Sequence, residues 1–251
     1  MCPWGRLLTP RLSVTVSASL EGVAPPMQGL TYGVDIVLCI DATGSMSPII
    51  DRVKESALRF HEDLRKVMAA KSKNIDSLRV RVIAYRDYYC DAPEEAMVTS
   101  EFFSLPQQAA EFSRFVNGIE ARGGGDEPET GLEALALAMR SDWDTKSRKR
   151  RQIIVVWTDA SVHPLEKNAG DKPDGYPQDI PEDFDELTDM WEGQEYMDAS
   201  AKRLILYAPD ALGWTEIANH WENVIHFPSQ GGNGLEEVDY STILDTIANS
   251  I

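Results

Sequence analysis

The sequence predicts a doubly wound α/β fold, in which a mostly parallel six-stranded sheet of the Rossmann-like kind carries helices on both faces. Runs of apolar residues recur without the alternation of a half-exposed strand, as expected for strands covered on both faces. Between these runs lie segments with apolar residues at helical spacing, and such strand and helix alternation is typical of a parallel sheet.

The elements follow from these patterns in chain order. The first strand is predicted at residues 34–40 and the first helix at 49–68. A second strand at 78–85 and a third at 96–103 lie too close together for a crossover helix, so the third should be an antiparallel edge strand. The remaining predicted elements are helices at 107–117 and 129–139, a strand at 152–157, a short helix near 181–191, a strand at 203–207, a helix near 212–221, a strand at 224–227 and a helix near 236–249.

The length of 251 residues suits one α/β domain with additions. We expect an N-terminal arm at residues 1–32, with an alternating segment that predicts a short strand, and a domain at 33–251. Prolines, glycines and acidic residues interrupt the pattern at about 162–198, which predicts an insertion. The N-terminus lacks a signal-peptide pattern and no apolar run has the length of about 20 residues that a membrane helix needs, so we expect a soluble, cytoplasmic protein.

The charge of the chain is strongly negative, at −17, with a pI near 4.6. Residues 165–198 contain 12 acidic residues against two lysines, a net charge of −10, so most of the excess is local. Such a field disfavours nucleic acid and anionic lipid and favours cations or basic partners. For the basic run at 146–151 we therefore prefer a solvated loop or a docking site for an acidic partner. Three widely spaced cysteines favour a reducing compartment, with Cys39 as a small buried residue.

The clearest motif is a set of oxygen-bearing side chains directly after the first strand. Asp41, Thr43 and Ser45 stand at alternate positions. A carboxylate and two hydroxyls on one loop supply part of the oxygen shell that Mg²⁺ requires and leave positions open. The alternative is that the hydroxyls cap the following helix, whose start we place at Ser47 and Pro48.

Two further loops carry metal-compatible residues after predicted strands. Asp126 follows three glycines before a helix, and Asp159 follows the strand at 152–157. Because ligands of open α/β sheets collect beyond the carboxyl ends of the strands, we expect the three loops to converge. A buried carboxylate at such a strand end is costly unless it meets a cation, a proton or hydrogen-bond donors.

In these three motifs the chain resembles a von Willebrand factor A domain, whose metal-ion-dependent adhesion site (MIDAS) combines D-x-[ST]-x-S with a second-loop Thr or Asp and a third-loop Asp. The resemblance covers about residues 33–251 and implies that Asp41, Thr43, Ser45, Asp126 and Asp159 bind Mg²⁺, with Mn²⁺ or Ca²⁺ as alternatives. Asp126 stands where many family members have Thr, a variant similar to hemicentin-like and bacterial A domains. The added carboxylate should raise the affinity for the cation and weaken the pull of the metal on an acidic partner residue.

The resemblance implies a non-enzymatic module whose metal binds an Asp or Glu of a protein partner. Stand-alone bacterial A domains further imply a stress or defence system, with a MoxR-type AAA⁺ ATPase or a kinase and phosphatase pair as partners. Two alternatives stay open: a Mg²⁺-dependent phosphoester hydrolase, and a scaffold whose metal is purely structural.

Two further residues, Asp87 and His163, are expected near the carboxyl ends of these strands. Asp87, in the run Tyr85-Arg86-Asp87-Tyr88, is expected either to accept hydrogen bonds from ligand hydroxyls or to form a surface pair with Arg86 or a turn cap. His163 lies four residues after Asp159, and we favour a structural or rim role for it. No histidine pair has the spacing of a zinc site.

Overall fold

The computed structural model describes residues 30–125, 127–167, 170–173, 175–232, 235 and 238–251. The predicted arm strand and Asp126 therefore lie outside the described residues. The described chain forms a seven-stranded sheet in the order β3-β2-β1-β5-β6-β7, with β4 also paired to β2. The strands are β1 (Leu30–Asp41), β2 (Lys73–Tyr85), β3 (Met97–Thr99), β4 (Phe103–Leu105), β5 (Arg150–Trp157), β6 (Lys202–Pro209) and β7 (Val224–Ser229).

The predicted doubly wound α/β fold is confirmed. Strands β1, β2, β5, β6 and β7 run parallel, whereas β3 and β4 are antiparallel to β2. Helices cover both faces: α1 (Ser47–Ser56), α2 (Phe60–Ala70), α3 (Pro93–Ala96), α4 (Ala109–Asn117), α5 (Gly131–Met139), α6 (Phe184–Glu192), α7 (Trp214–His220) and α8 (Tyr240–Ser250).

The sheet separates two hydrophobic cores because alternate side chains of a strand point to opposite faces. In β1, Ile36 and Leu38 pack into the core under α1, α2, α4 and α8, while Val37 and Cys39 pack into the core under α5, α6 and α7. Cys39 is fully buried, as predicted, and its burial raises the pKa of the thiol to about 12. Covering both faces explains why residues 36–40 of β1 and 153–157 of β5 are apolar at every position.

Two predicted elements are each divided in two. The helix expected at 49–68 breaks at residues 57–59, and the break lets α2 pack against β2 and α8. The edge strand expected at 96–103 becomes β3 and β4, which accounts for the seventh strand. The division occurs at Ser100, whose Oγ accepts a hydrogen bond from Val82 N (2.9 Å) and so replaces a backbone acceptor in the ladder.

Segment 162–198 is anchored to α5 by a buried ion pair. Lys167 Nζ lies 3.1 Å from Glu133 Oε1, and the two side chains are 3% and 0% exposed. Tyr176 OH donates a 2.7 Å hydrogen bond to the same Glu133 oxygen. Further along, Leu187 and Trp191 of α6 lie in the core beneath α5. The acidic segment is thus packed on the sheet-covering helices through both polar and apolar contacts.

The parallel strands place their carboxyl ends at one edge of the sheet. Asp41 ends β1 beside Tyr85 of β2, and Trp157 ends β5 beside Ile40. The loops after β1, β2 and β5 therefore meet at this edge, while the basic run at 146–151 leads into β5 at the opposite edge. In the part of the chain that the structure describes, no helix is long and apolar enough to cross a membrane.

Candidate metal site

The loop after β1 is organised around the carboxylate of Asp41, which is fully buried. Its Oδ1 accepts hydrogen bonds from Thr43 N (2.9 Å) and Thr43 Oγ1 (2.6 Å). Its Oδ2 accepts a hydrogen bond from Thr158 Oγ1 (2.7 Å), which belongs to the loop after β5. These contacts hold the first and third loops together.

The hydroxyl of Ser45 completes the link between these loops. Ser45 Oγ donates to Asp159 Oδ1 (2.9 Å) and lies 3.5 Å from Thr43 Oγ1. The alternative prediction that these hydroxyls cap a helix is wrong, because Thr43 makes no side-chain capping hydrogen bond and the N-cap position of α1 is Met46, not Ser45. Helix α1 does begin at Ser47 with proline in its first turn, as predicted. The hydroxyls instead point toward carboxylates.

The site has a buried floor and an open face. Asp41 and Asp159 are 0% and 1% exposed, whereas Ser45 is exposed to solvent. The structure therefore brings together four of the five predicted ligands, Asp41, Thr43, Ser45 and Asp159. The fifth, Asp126, lies outside the described residues.

The loop before α5 approaches the first loop at Gly124, which has φ +89°. A Cβ at this position would lie 2.4 Å from Thr43 Cγ2 and 2.6 Å from Glu129 Oε1. Only glycine adopts this conformation readily and leaves room for both neighbours. The glycine run therefore places the backbone of the second loop directly against the first.

Glu129 is a carboxylate near the site that the sequence analysis did not select. It is 3% exposed, and its Oε2 has no hydrogen-bond partner among the described residues. Its backbone joins the third loop, since Glu129 N donates to Ser161 O (2.9 Å) and His163 N donates to Glu129 O (3.0 Å). Its position directly after a proline, at the start of a helix that borders the predicted site, is the sequence signal that could have found it.

Burial raises the pKa values of two carboxylates at the site, Asp41 and Glu129. Burial raises the pKa of Asp41 to about 6, although hydrogen bonds from Thr43 and Thr158 lower it. Burial raises the pKa of Glu129 to about 9, and the negative charges of Asp41 and Asp87 add to the effect. Among the described residues, no lysine or arginine forms a salt bridge with Asp41 or Glu129.

The donor set fits a hard divalent cation. Buried carboxylates with an unpartnered oxygen are costly unless a cation or a proton compensates them. Carboxylate and hydroxyl oxygens are the ligands such a cation prefers. Within the described ranges, no three His, Cys, Asp or Glu side chains form a metal-binding cluster, so the hydroxyls and Asp126 would have to complete the shell.

Asp87 and His163 form a pair at the rim. His163 Nε2 lies 3.1 Å from Asp87 Oδ1, and the imidazole packs on the ring of Tyr89 with centroids 4.6 Å apart. Asp87 Oδ1 also accepts a hydrogen bond from Tyr89 N (3.0 Å), so the expected turn cap is present. The expected surface pair with Arg86 is wrong, because Arg86 is buried and donates to backbone carbonyls.

The chain is similar in sequence to a known domain family and to two longer proteins. A family model described as von Willebrand factor type A domain matches residues 36–161. Over 159 residues the chain is 30% identical to the alpha-protein kinase vwkA of Dictyostelium discoideum, which covers 62% of this chain and 23% of that protein. Over 132 residues it is 28% identical to the putative ariadne-like RING finger protein R811 of Acanthamoeba polyphaga mimivirus, covering 52% of this chain and 11% of that protein. The chain thus spans less than a quarter of the length of these relatives.

Among solved structures, the pilus adhesin SpaC of Lactobacillus rhamnosus GG has a TM-score of 0.52 to this chain. The similarity covers 87% of this chain and 30% of SpaC, at 12% sequence identity. At such low identity the similarity shows the fold alone.

Proposed function

Because this chain belongs to the von Willebrand factor type A domain family, whose model matches residues 36–161, we propose that it is a metal-dependent protein-binding module. Domains of this family commonly serve as interaction or adhesion modules. We propose that Asp41, Thr43, Ser45 and Asp159, together with Asp126, bind a divalent cation, with Mg²⁺ as the first choice. An Asp or Glu of a protein partner would fill the remaining position.

One observation carries this proposal: buried carboxylates lie under a solvent-exposed hydroxyl on loops from two strands. The contacts of Asp41 with Thr158 and of Ser45 with Asp159 support a preorganised donor set. The exposure of Ser45 supports access by a partner side chain. A bound cation supplies positive charge that attracts a carboxylate; the protein residues orient their oxygens and keep water from the floor of the site.

Glu129 is proposed as an additional carboxylate that faces the cation, directly or through water. Its buried, unpartnered Oε2 supports this role. With Asp126 it would make the site more negative than one with a threonine in the second loop. Such a site should bind the cation tightly and attract an acidic partner less strongly.

The setting proposed for this module is intracellular, in a bacterial stress or defence system. A MoxR-type AAA⁺ ATPase, or a kinase and phosphatase pair, would then be the partner. We also propose that residues 33–251 form the domain, that 162–198 is an acidic insertion within it, and that 1–32 form an added arm. Attached directly after the third loop, the insertion would select partners by charge.

The proposal is tested by metal binding and by partner capture with the same set of variants. Binding of Mg²⁺ and Mn²⁺ to the wild type and to Asp41→Ala is measured by calorimetry. Tagged proteins are then used to capture partners from native lysate with Mg²⁺ or with EDTA, followed by mass spectrometry. Asp245→Ala, a carboxylate substitution in α8 that removes an ion pair with Lys71 outside both the site and the insertion, is the matched control.

We expect a partner to be captured by the wild type and by Asp245→Ala only with Mg²⁺, and not by Asp41→Ala. Capture that persists in EDTA and in Asp41→Ala would refute it. Partner binding that requires metal but tolerates Ser45→Ala would favour a structural metal. Hydrolysis of a generic phosphoester that is lost in Asp159→Asn would favour the hydrolase alternative.

A further inference from the structure

Arg86 lies directly after β2 and is 4% exposed. Its guanidinium donates hydrogen bonds to four backbone carbonyls: Nε to Ala42 O (3.1 Å) and Arg122 O (2.9 Å), Nη2 to Glu120 O (2.7 Å), and Nη1 to Glu95 O. Ala42 stands between Asp41 and Thr43, and Arg122 directly precedes the glycine run of the second loop. One side chain thus contacts two loops of the candidate metal site.

The backbone of Arg86 contacts the far end of the second loop as well. Arg86 O accepts hydrogen bonds from Thr130 N (3.3 Å) and from Thr130 Oγ1. Thr130 follows Glu129 and directly precedes α5. Arg122 N also donates to Ala42 O (3.0 Å), so that this carbonyl accepts from the backbone of the second loop and from the guanidinium. Arg86 therefore holds both ends of the second loop and the middle of the first.

The buried guanidinium of Arg86 contacts backbone carbonyls. The four guanidinium hydrogen bonds described above all go to main-chain carbonyls and none to a carboxylate. The planar fork of arginine satisfies several acceptors at once, which the single ammonium of lysine does not. Removal of the fork would take the guanidinium donor away from Arg122 O, Glu120 O and Glu95 O, leave Ala42 O with the amide of Arg122 alone, and free the loops to shift.

We propose that Arg86 is a positioning residue that sets the first and second metal-binding loops relative to each other, so that cation affinity depends on its guanidinium. This inference rests on the proposed function, because it assigns the residue to the same site. Arg86 itself does not bind the cation. It acts on Asp41 and Thr43 through the carbonyl between them, and on Glu129 through Thr130.

A neighbouring cavity makes the inference testable by chemical rescue. Arg86 lines a cavity of about 490 Å³ between the edge strand β3 and the end of α4. Ala84, Val98, Phe115 and Ile119 give it apolar walls. A small guanidinium compound can therefore reach the space that Arg86→Ala would vacate.

The first experiment measures Mn²⁺ affinity by electron paramagnetic resonance of the free ion. We expect Arg86→Ala and Arg86→Lys to bind Mn²⁺ about 10-fold to 100-fold more weakly than the wild type, the usual effect of removing support behind metal ligands. Ethylguanidinium at millimolar concentration should restore affinity to Arg86→Ala and leave Arg86→Lys unchanged. Arg79→Ala is the matched control, because Arg79 donates to Asp35 and to Asp142 O away from the site.

The second experiment needs no metal and serves if Arg86→Ala fails to fold. Amide hydrogen exchange is measured for Thr43, whose N–H donates to Asp41, and for Gly124, whose N–H donates to Asp91. Both amides should exchange faster in metal-free Arg86→Lys than in the wild type and stay unchanged in Arg79→Lys.

The outcomes separate this inference from the proposed function. If the wild type does not bind Mn²⁺, the proposed function fails and the exchange rates decide the role of Arg86. If the wild type binds Mn²⁺ and folded Arg86 variants bind it equally well, Arg86 is only a structural residue. Unchanged exchange at Thr43 and Gly124 in Arg86→Lys would overturn the inference as well.

Discussion

Thr158 Oγ1 donates a 2.7 Å hydrogen bond to Asp41 Oδ2, although the two residues are 117 positions apart in the chain. One carboxylate oxygen of Asp41 is held by its own loop and the other by the loop after β5. The orientation of the most deeply buried carboxylate of the site thus depends on a hydroxyl outside the D-x-T-x-S motif.

We predict that Thr158→Val weakens Mn²⁺ binding about tenfold, because this hydroxyl supports a metal ligand from behind. The free energy of unfolding should fall by about 1 kcal/mol through the lost hydrogen bond. Thr246→Val is the control, since Thr246 Oγ1 donates to Thr242 O within α8. Equal Mn²⁺ affinity in the two variants would contradict the prediction.

Glu129 should have opposite effects in the presence and absence of metal. We predict that Glu129→Gln raises the free energy of unfolding of the metal-free protein at pH 7 by about 1 to 3 kcal/mol, because the wild-type carboxyl, with its pKa raised to about 9, has to take up a proton on folding at this pH and the amide does not. With saturating Mg²⁺ the wild type should be the more stable of the two. Thermal denaturation of the wild type and of Glu129→Gln, with Mg²⁺ and with EDTA, measures the difference in stability under each condition. A variant less stable than the wild type under both conditions would show that Glu129 is a structural residue.

The metal-free protein should lose stability as the pH rises. Asp41 and Glu129 have ordinary pKa values of 3.8 and 4.5, and the fold raises them to about 6 and about 9. The folded state therefore binds their protons more tightly than the unfolded state. This contribution is complete below pH about 4 and is lost as the pH passes through about 6 and then about 9.

Urea denaturation in EDTA across this pH range measures the effect. Glu129→Gln should remove the part of the loss between pH 6 and pH 9, and saturating Mg²⁺ should flatten the whole dependence. A metal-free wild type whose unfolding free energy increases over the same range would contradict the sign of the prediction.

Gly124→Ala should weaken cation binding more than a Gly→Ala substitution away from the site. The new Cβ would meet Thr43 and Glu129, and alanine strains the backbone at φ +89°. We predict clearly weaker Mn²⁺ binding. Gly170→Ala is the control, because Gly170 has φ +103° with nothing within 4 Å of an added Cβ. If calorimetry finds the same loss of affinity in both variants, steric contact at Gly124 is not the cause.

The ion pair between Lys167 and Glu133 should show whether segment 162–198 unfolds together with the sheet. Lys167→Met leaves a buried carboxylate uncompensated and should lower the free energy of unfolding by about 3 to 5 kcal/mol. Combining it with Glu133→Gln should recover much of this loss. The free energy of unfolding of each variant is measured by urea denaturation, with both tryptophan fluorescence and circular dichroism as probes. A negligible effect of Lys167→Met on the main transition would show that the segment opens independently.

The fold and the first and third loops were predictable because their signals are local. A doubly covered strand is apolar on both faces, as residues 36–40 of β1 and 153–157 of β5 are, and Asp41 and Asp159 stand out where such runs end. The division of the edge strand was not predictable, because it depends on the hydrogen bond from Val82 N to the Ser100 side chain.

The roles of Arg86 and Glu129 also depend on distant contacts. Arg86 beside Asp87 resembles a surface ion pair in sequence, yet its partners are carbonyls from three other segments. Glu129 resembles an ordinary residue of a first helical turn, and its burial arises only when the third loop pairs with its backbone. No periodicity or spacing encodes either contact.

The division of the edge strand into β3 and β4 affects whether two copies of the protein can pair through the edges of their sheets. A long exposed strand offers a row of unpaired amides and carbonyls on which another chain can assemble, and this is a route to aggregation. Here β3 and β4 are three residues each, and at the other edge β7 contains Pro228, which has no amide hydrogen to donate. Both margins of a sheet rich in valine and isoleucine are thereby made poor templates for uncontrolled polymerisation.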